Sequence, residues 1–169
     1  MSSVKYQSLI QTPSGILCAS FCEEGRLISL EIQSNNSALG ASRQKHPSVE
    51  DRSVLRRMAQ LRATLGCPLK SRYLGVFLDD LARLGTSFQR RVWRTLIQIP
   101  YGETRSYSQI ADKLNCPKSV RAVANAIGAN PFHVLVPCHR VLRKCGALGG
   151  FAAGVSIKQH LLLEEGVKL

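Results

Sequence analysis

Across residues 5–33 apolar and polar positions alternate with a period close to two, and two clusters of turn-forming residues interrupt the alternation. The interruptions are Thr12-Pro13-Ser14-Gly15 and Glu23-Glu24-Gly25-Arg26, so Ile16-Leu17-Cys18-Ala19-Ser20-Phe21 and Leu27-Ile28-Ser29-Leu30-Glu31-Ile32 read as strands of a small antiparallel unit, half covered by a helix. Residues 34–47 are polar, with Asn35-Asn36, Gly40 and Pro47, and predict a mobile loop. Val54, Leu55, Met58, Leu61 and Leu65 then recur at helical spacing, which predicts an amphipathic helix over 49–65 ending at Gly66. The apolar run Tyr73-Leu74-Gly75-Val76-Phe77-Leu78 predicts a short strand, with an acidic turn at Asp79-Asp80 and a linker to Leu84 after it.

From residue 86 onward the period is helical. Thr86-Ser87 cap a helix with Phe88, Val92, Trp93, Leu96 and Ile97 on one face and Gln89, Arg90, Arg91 and Arg94 on the other, ended by Pro100-Tyr101-Gly102. A second helix spans 106–114, Asn115-Cys116-Pro117 turns the chain, and a third spans 118–128 with Val120, Ala124 and Ile127 buried. Two short helices about a tight turn read as helix-turn-helix. The third helix exposes Ala122, Asn125, Ala126 and Gly128, and only Lys118 and Arg121 project far from it, a slim profile suited to entering a duplex groove. Beyond a basic turn, Arg143-Lys144-Cys145-Gly146, the pair Gly149-Gly150 frees the backbone for a loop over a pocket. Ser156-Ile157-Lys158-Gln159 reads as a capping box, starting a helix through Leu161-Leu162-Leu163 that carries Glu164 and Glu165 and stops at Gly166.

Composition narrows the partners. The 169 residues, 44% apolar and 20% charged, can bury one good core or two small ones. Lys and Arg number 23 against 11 Asp and Glu, a formal +12, and the half from Gly85 onward holds 12 of the former and 4 of the latter. Such a field favours a polyanion, nucleic acid first. No stretch approaches the roughly 18 uninterrupted apolar residues of a membrane span, and no export signal opens the chain, so a soluble, cytoplasmic protein without a membrane partner is expected. Cysteines at 18, 22, 67, 116, 138 and 145 are irregularly spaced, which favours reduced thiols over disulfides.

The chemistry concentrates at Val134-Leu135-Val136-Pro137-Cys138-His139-Arg140-Val141, where an apolar run that reads as a buried strand meets a proline, a soft nucleophile and a neutral-pH base. A cysteine attacks as thiolate, so a resting pKa of about 8.5 needs a base or a positive field, roles open to His139 and Arg140. Neighbours on an extended chain face opposite ways, so Cys138 and His139 cooperate only if the backbone turns, as Pro137 permits, or a water bridges them. The ordinary alternative is a buried cysteine beside a surface histidine.

Pro137-Cys138-His139-Arg140-Val141, preceded by Asn130-Pro131 and followed by Gly149-Gly150-Phe151, resembles the active-site signature of the O6-alkylguanine-DNA alkyltransferases. The resemblance runs from about Thr86 to Gly166 and includes Ser87-Phe88-Gln89-Arg90-Arg91-Val92-Trp93, Ile99-Pro100-Tyr101-Gly102-Glu103-Thr104, Ser106-Tyr107 and Arg121-Ala122-Val123. It implies an α+β protein: a small N-terminal α/β domain of ribonuclease H-like type over 1–84, then a mainly helical domain over 85–169 with the helix-turn-helix and the cysteine. The implied partner of this monomer is double-stranded DNA containing O6-alkylguanine, and no cofactor is implied.

The same resemblance assigns roles. Glu165 orients His139, which takes the Cys138 proton through a water; Tyr107 protonates the departing base, and Asn130 braces the turn. The carbonyls of Cys138 and Val141 and the amide of Ala152 read the base edge. Arg121 fills the stack left by a flipped nucleotide, with Lys118, Ala122, Asn125 and Arg140 also on the DNA. Phe151 and Ala152 stand where the family usually has tyrosine and serine, and His133 where relatives vary, so substrate preference is expected to differ. Some relatives bind zinc near the N-terminus, but on a strand Cys18 and Cys22 would lie ~13 Å apart, with Cys67 and His46 distant, so no metal site is expected. Two other classes stay open: a cysteine hydrolase, marked by repeated turnover of an ester, and a damaged-DNA sensor, a class whose relatives lack the cysteine.

Overall fold

The computed structural model describes residues 4–34, 52–66 and 74–169, and its contacts separate the chain into two compact units, Met1–Leu84 and Gly85–Leu169. The expected mobile loop, His46 and Cys67 lie outside the described residues, apart from Ser34.

In the first unit β1 (Tyr6–Thr12), β2 (Gly15–Phe21) and β3 (Leu27–Gln33) form an antiparallel sheet in sequence order. The period-two alternation decides its faces: Leu17, Ala19 and Phe21 of β2 are buried, and Leu17 and Ala19 pair with Ile32 and Leu30 of β3. Gly15 has to be glycine, because a Cβ there would stand 2.3 Å from the Gln33 carbonyl oxygen. The helix α1 (Arg52–Gly66) buries Val54, Met58 and Leu61. Leu55, expected on that face, is instead exposed.

The expected strand at 73–78 is a helix, α2 (Leu74–Leu81). The short apolar run is ambiguous between the two periods, and tertiary contacts settle it in favour of the helical one. Phe77, Asp80 and Leu81, at i, i+3 and i+4, are all buried. Asp80 is therefore no turn residue: its carboxylate accepts the Leu27 amide at 3.0 Å and pairs with Arg57, tying α2 and α1 to the start of β3. Burial pushes that carboxyl up, against the pull of the Leu27 amide and Arg57.

The second unit contains α3 (Ser87–Ile97), β4 (Arg105–Ser106), α4 (Tyr107–Lys113), α5 (Val120–Gly128), β5 (Val141–Leu142) and α6 (Val155–Glu164). Capping boxes, Thr86 with Gln89 and Ser106 with Gln109, start α3 and α4. Val92, Trp93 and Leu96 of α3 are buried, and the Trp93 indole donates to the Ala126 carbonyl at 2.8 Å, fixing α5 against α3. This corrects the expected rotation of α5: Val123, Ala126 and Ile127 face inward, while Val120 and Ala124 are half-buried. Between α4 and α5, Asn115 at φ 58° and a 3-10 turn over Pro117–Ser119 complete the helix-turn-helix.

Among the described residues, no helix is long and apolar enough to cross a membrane. Cys18, Cys22, Cys116, Cys138 and Cys145 carry free thiols, and among the described residues no three His, Cys, Asp or Glu side chains gather where they could hold a metal ion.

Candidate active site

The expected strand at 134–136 is a series of tight turns. Val134 has φ 71°, a conformation a β-branched residue rarely accepts, and a strand cannot contain it. The Leu135 amide bonds the His133 carbonyl, the Val136 amide that of Phe132, and the Cys138 amide that of Val136. The chain then enters a 3-10 turn over Cys138–Arg140, so Cys138 and His139 do not project oppositely as on a strand. Asn130, itself buried, braces the coil: its amide nitrogen donates to the Val136 carbonyl at 2.9 Å and to Cys138 Sγ at 3.0 Å, while its Oδ1 accepts the Phe132 amide.

The Cys138 thiol is 5% exposed. Burial pushes its pKa up, partly offset by the Asn130 hydrogen bond, the Lys158 charge and the Cys138 and His139 amides. At rest it is a protected thiol that needs a base.

His139 supplies a nitrogen for that purpose. Its Nε2 lies 2.8 Å from Glu165 Oε1, and burial lowers its pKa more than Glu165 raises it, so the imidazole is neutral at pH 7. Burial raises Glu165 too, but hydrogen bonds from His139 and Arg140 and from the Gly102 amide outweigh this and hold it at about 2. An ionised carboxylate only accepts, so Nε2 carries the proton and Nδ1 keeps a lone pair. Nδ1 is buried and without a hydrogen-bond partner among the described residues, as a base awaiting a proton should be.

Arg140 belongs to this cluster and not to a DNA-facing surface, which corrects the expectation for it. It is 6% exposed; Nε and Nη2 bond the two Glu165 oxygens at 2.8 and 2.9 Å, and Nη1 the Ile99 carbonyl at 2.7 Å. A guanidinium this deeply buried and committed to a carboxylate and a carbonyl is not presented to a phosphate.

Tyr107 reaches the site through a register invisible in the sequence. β4 runs parallel to β5, Arg105 opposite Val141 and Ser106 opposite Leu142, so the first residue of α4 arrives beside the turn that carries Cys138. Burial and the nearby Cys138 raise its phenol pKa, against a smaller opposing pull from Arg143, and keep the proton on oxygen. Gly149, at φ 68°, lets the loop pass: a Cβ there would lie 3.2 Å from the Tyr107 hydroxyl.

Cys138 and Tyr107 line a cavity of about 360 Å³ with His133, Phe151 and Ala152, within the range of small-ligand sites. The His133 and Phe151 rings are 5.5 Å apart. Asn125 and Gly128 of α5 also line it, so the cavity borders the helix whose outer face exposes Arg121, Ala122 and Asn125, with Lys118 exposed on the preceding turn. The Val141 carbonyl accepts Lys158 Nζ at 2.6 Å, and the Cys138 carbonyl accepts the Val141 amide.

The sequence reading missed Lys158, placing it in a capping box; in fact α6 is preceded by Gly154 at the N-cap with no side-chain cap, and Lys158 is wholly buried. Its spacing held the signal, since Leu161 and Leu162 follow at i+3 and i+4 on the buried face.

Fold and site together define a helix-turn-helix protein with a buried cysteine, next in sequence to a neutral histidine, lining a cavity beside the second helix of that motif. The sequence matches the family described as "6-O-methylguanine DNA methyltransferase, DNA binding domain" over residues 87–167. It is 38% identical over 164 residues to the methylated-DNA–protein-cysteine methyltransferase of Methanosarcina acetivorans, covering 95% of this chain and 98% of that protein. It is 53% identical over 83 residues to the enzyme of the same name from Mycobacterium bovis, 49% of this chain and 50% of that one. Among solved structures, Mycobacterium tuberculosis OGT in complex with DNA superposes with a TM-score of 0.66 at 30% identity, over 95% of this chain and 92% of that one. The chain belongs to the methylated-DNA–protein-cysteine methyltransferase family.

Proposed function

We propose that this protein repairs alkylated DNA by moving the alkyl group of O6-alkylguanine to Cys138, once per molecule. The observation that carries the reading is the buried thiol held by Asn130, next in sequence to a neutral histidine whose Nε2 is committed to an ionised Glu165 and whose Nδ1 is left as the base.

The lesion oxygen sits on the major-groove edge of its base, and the sulfur of a buried cysteine cannot approach it inside a duplex. The nucleotide therefore leaves the stack and enters the cavity beside α5. Ala122 and Asn125 let that helix approach the groove closely, Arg121 occupies the gap, and Lys118 takes a phosphate. In the cavity His139 Nδ1 receives the thiol proton through a water, and sulfur attacks the alkyl carbon. The sulfur–carbon bond forms as the carbon–O6 bond breaks; its electron pair stays on guanine, and Tyr107 gives a ring nitrogen its proton. The imidazolium returns its proton to the phenolate, so the balance is thiol plus alkylguanine to thioether plus guanine.

The Cys138 and Val141 carbonyls and the Ala152 amide would read the base edge, Val141 with the lone pair that Lys158 leaves it. Phe151 and Ala152 offer no hydroxyl to the lesion, and His133 sets its room with Phe151, so an apolar alkyl group fits best. O4-alkylthymine, smaller than the purine, is a second substrate to test. The first unit, whose described residues form a three-stranded antiparallel sheet and two helices, we assign to the ribonuclease H-like type as the N-terminal domain of a monomer working in a reducing cytoplasm. Incubation with an excess of duplex containing O6-methylguanine tests the reading: guanine is restored in amounts equal to the protein, whereas continued turnover points to a hydrolase.

A further inference from the structure

Lys158 is 0% exposed and sits on α6 among the buried Ile157, Leu161 and Leu162. Its ammonium donates to the Val141 carbonyl at 2.6 Å and to the Leu148 carbonyl. Among the described residues no carboxylate lies within ion-pair distance of it. A buried cation without a counter-ion is among the costliest things a core can hold, so its place asks for an anion.

The groups around the thiol leave one candidate. Tyr107 is a neutral phenol, Asn130 is an amide, and His139 is neutral and bonded to Glu165. Glu165 is matched by Arg140, and Arg143 acts on Tyr107. Cys138 and Lys158 bias one another: the ammonium favours the thiolate and the thiolate favours the ammonium, against the burial that brings Lys158 down to about 8. The backbone joins them, since Val141, whose carbonyl holds Lys158, donates its amide to the Cys138 carbonyl.

Resting on the alkyl-transfer reading, we propose that Lys158 is a positioning residue whose buried ammonium, held by the Val141 and Leu148 carbonyls, is the counter-ion for the thiolate that forms at Cys138. It is a preorganised charge standing where negative charge develops, and it needs no reorientation when His139 removes the proton. Through Leu148 the same ammonium holds the loop that carries Gly150 to the cavity.

The test is the pH–rate profile for alkylation of Cys138 by free O6-benzylguanine, a substrate that needs no DNA binding. Lys158→Gln keeps a donor for the carbonyls and removes the charge, Lys158→Met removes both, and Lys158→Arg keeps the charge. The Gln and Met variants should move the thiol limb to higher pH by at least about one unit, about tenfold slower at pH 7, with Arg near the parent. A purely structural lysine would lower the melting temperature and slow the reaction equally at every pH. A folded Lys158→Gln with the parent profile overturns the proposal. The duplex separates the two claims. A parent that takes no methyl from O6-methylguanine in DNA contradicts the repair reading, while a parent that does, with an unshifted Gln variant, contradicts only the role of Lys158.

Discussion

Glu165→Gln is the substitution with the most to lose, because one carboxylate holds His139, two Arg140 nitrogens and the Gly102 amide. Its pKa falls from 4.5 to about 2 in the folded protein, and at about 1.4 kcal/mol per unit this is about 3 kcal/mol. The side chain is 7% exposed, so solvent screens little of it, and removing one partner of a buried pair costs a similar amount, about 3–5 kcal/mol. The folded pKa is depressed, so the stabilisation is complete above about pH 4.5 and disappears as pH falls through about 2. Urea unfolding should therefore separate parent from variant by about 3 kcal/mol at pH 7 and by half of that or less at pH 3. In the same variant His139 loses the anion that fixes its proton on Nε2, and single-turnover methyl transfer should slow by about 10²-fold while duplex affinity is kept. A stability gap that stays constant from pH 7 to pH 3, or an unchanged transfer rate, would refute the reasoning.

Arg121→Ala should slow repair of a duplex strongly and leave the reaction with free O6-benzylguanine unchanged; equal slowing on both would mean a role in the fold. Lys118→Ala should weaken binding to all duplexes alike and reduce the salt slope by about one, and a change confined to one sequence would contradict a phosphate contact. Tyr107→Phe should cost about 10²-fold in transfer at pH 7 with the melting temperature kept, and parent-rate transfer would remove the phenol from the reaction. Asn130→Ala leaves the Phe132 amide without its acceptor inside the core and takes from the Val136 carbonyl one of its two donors, so a stability loss of about 1–3 kcal/mol should accompany slower transfer; thermal melting and the transfer assay check both.

The hairpins and the caps of α3 and α4 were legible in the sequence, and the cysteine stood out in it, because each follows from local chemistry: period-two burial, hydroxyl caps, and a proline before a thiol. What escaped it was set by contacts distant in the chain. The helix at Leu74–Leu81 depends on Asp80 meeting Leu27 and Arg57. The turn at 132–137 needs Val134 in a left-handed conformation that no propensity predicts, held in part by the Asn130 amide. Arg140 reads as a surface cation until Glu165 is brought to it from 25 residues away. Lys158 violates the rule that lysines face water, and only its place on the buried stripe of α6 hints otherwise. The structure thus gathers Cys138, His139, Glu165, Asn130 and Tyr107, the residues the resemblance named, into one cluster, while nothing in the sequence indicated the charge balance around the thiol.

The central claim is that Cys138 is the irreversible acceptor, and intact-mass analysis followed by peptide mapping tests it most directly. After incubation with excess duplex bearing O6-methylguanine, each molecule should gain the mass of one CH₂ unit, located on Cys138, while Cys116 and Cys145 stay unmodified. A methyl on either of those thiols, or more lesions cleared than protein molecules present, would contradict the account.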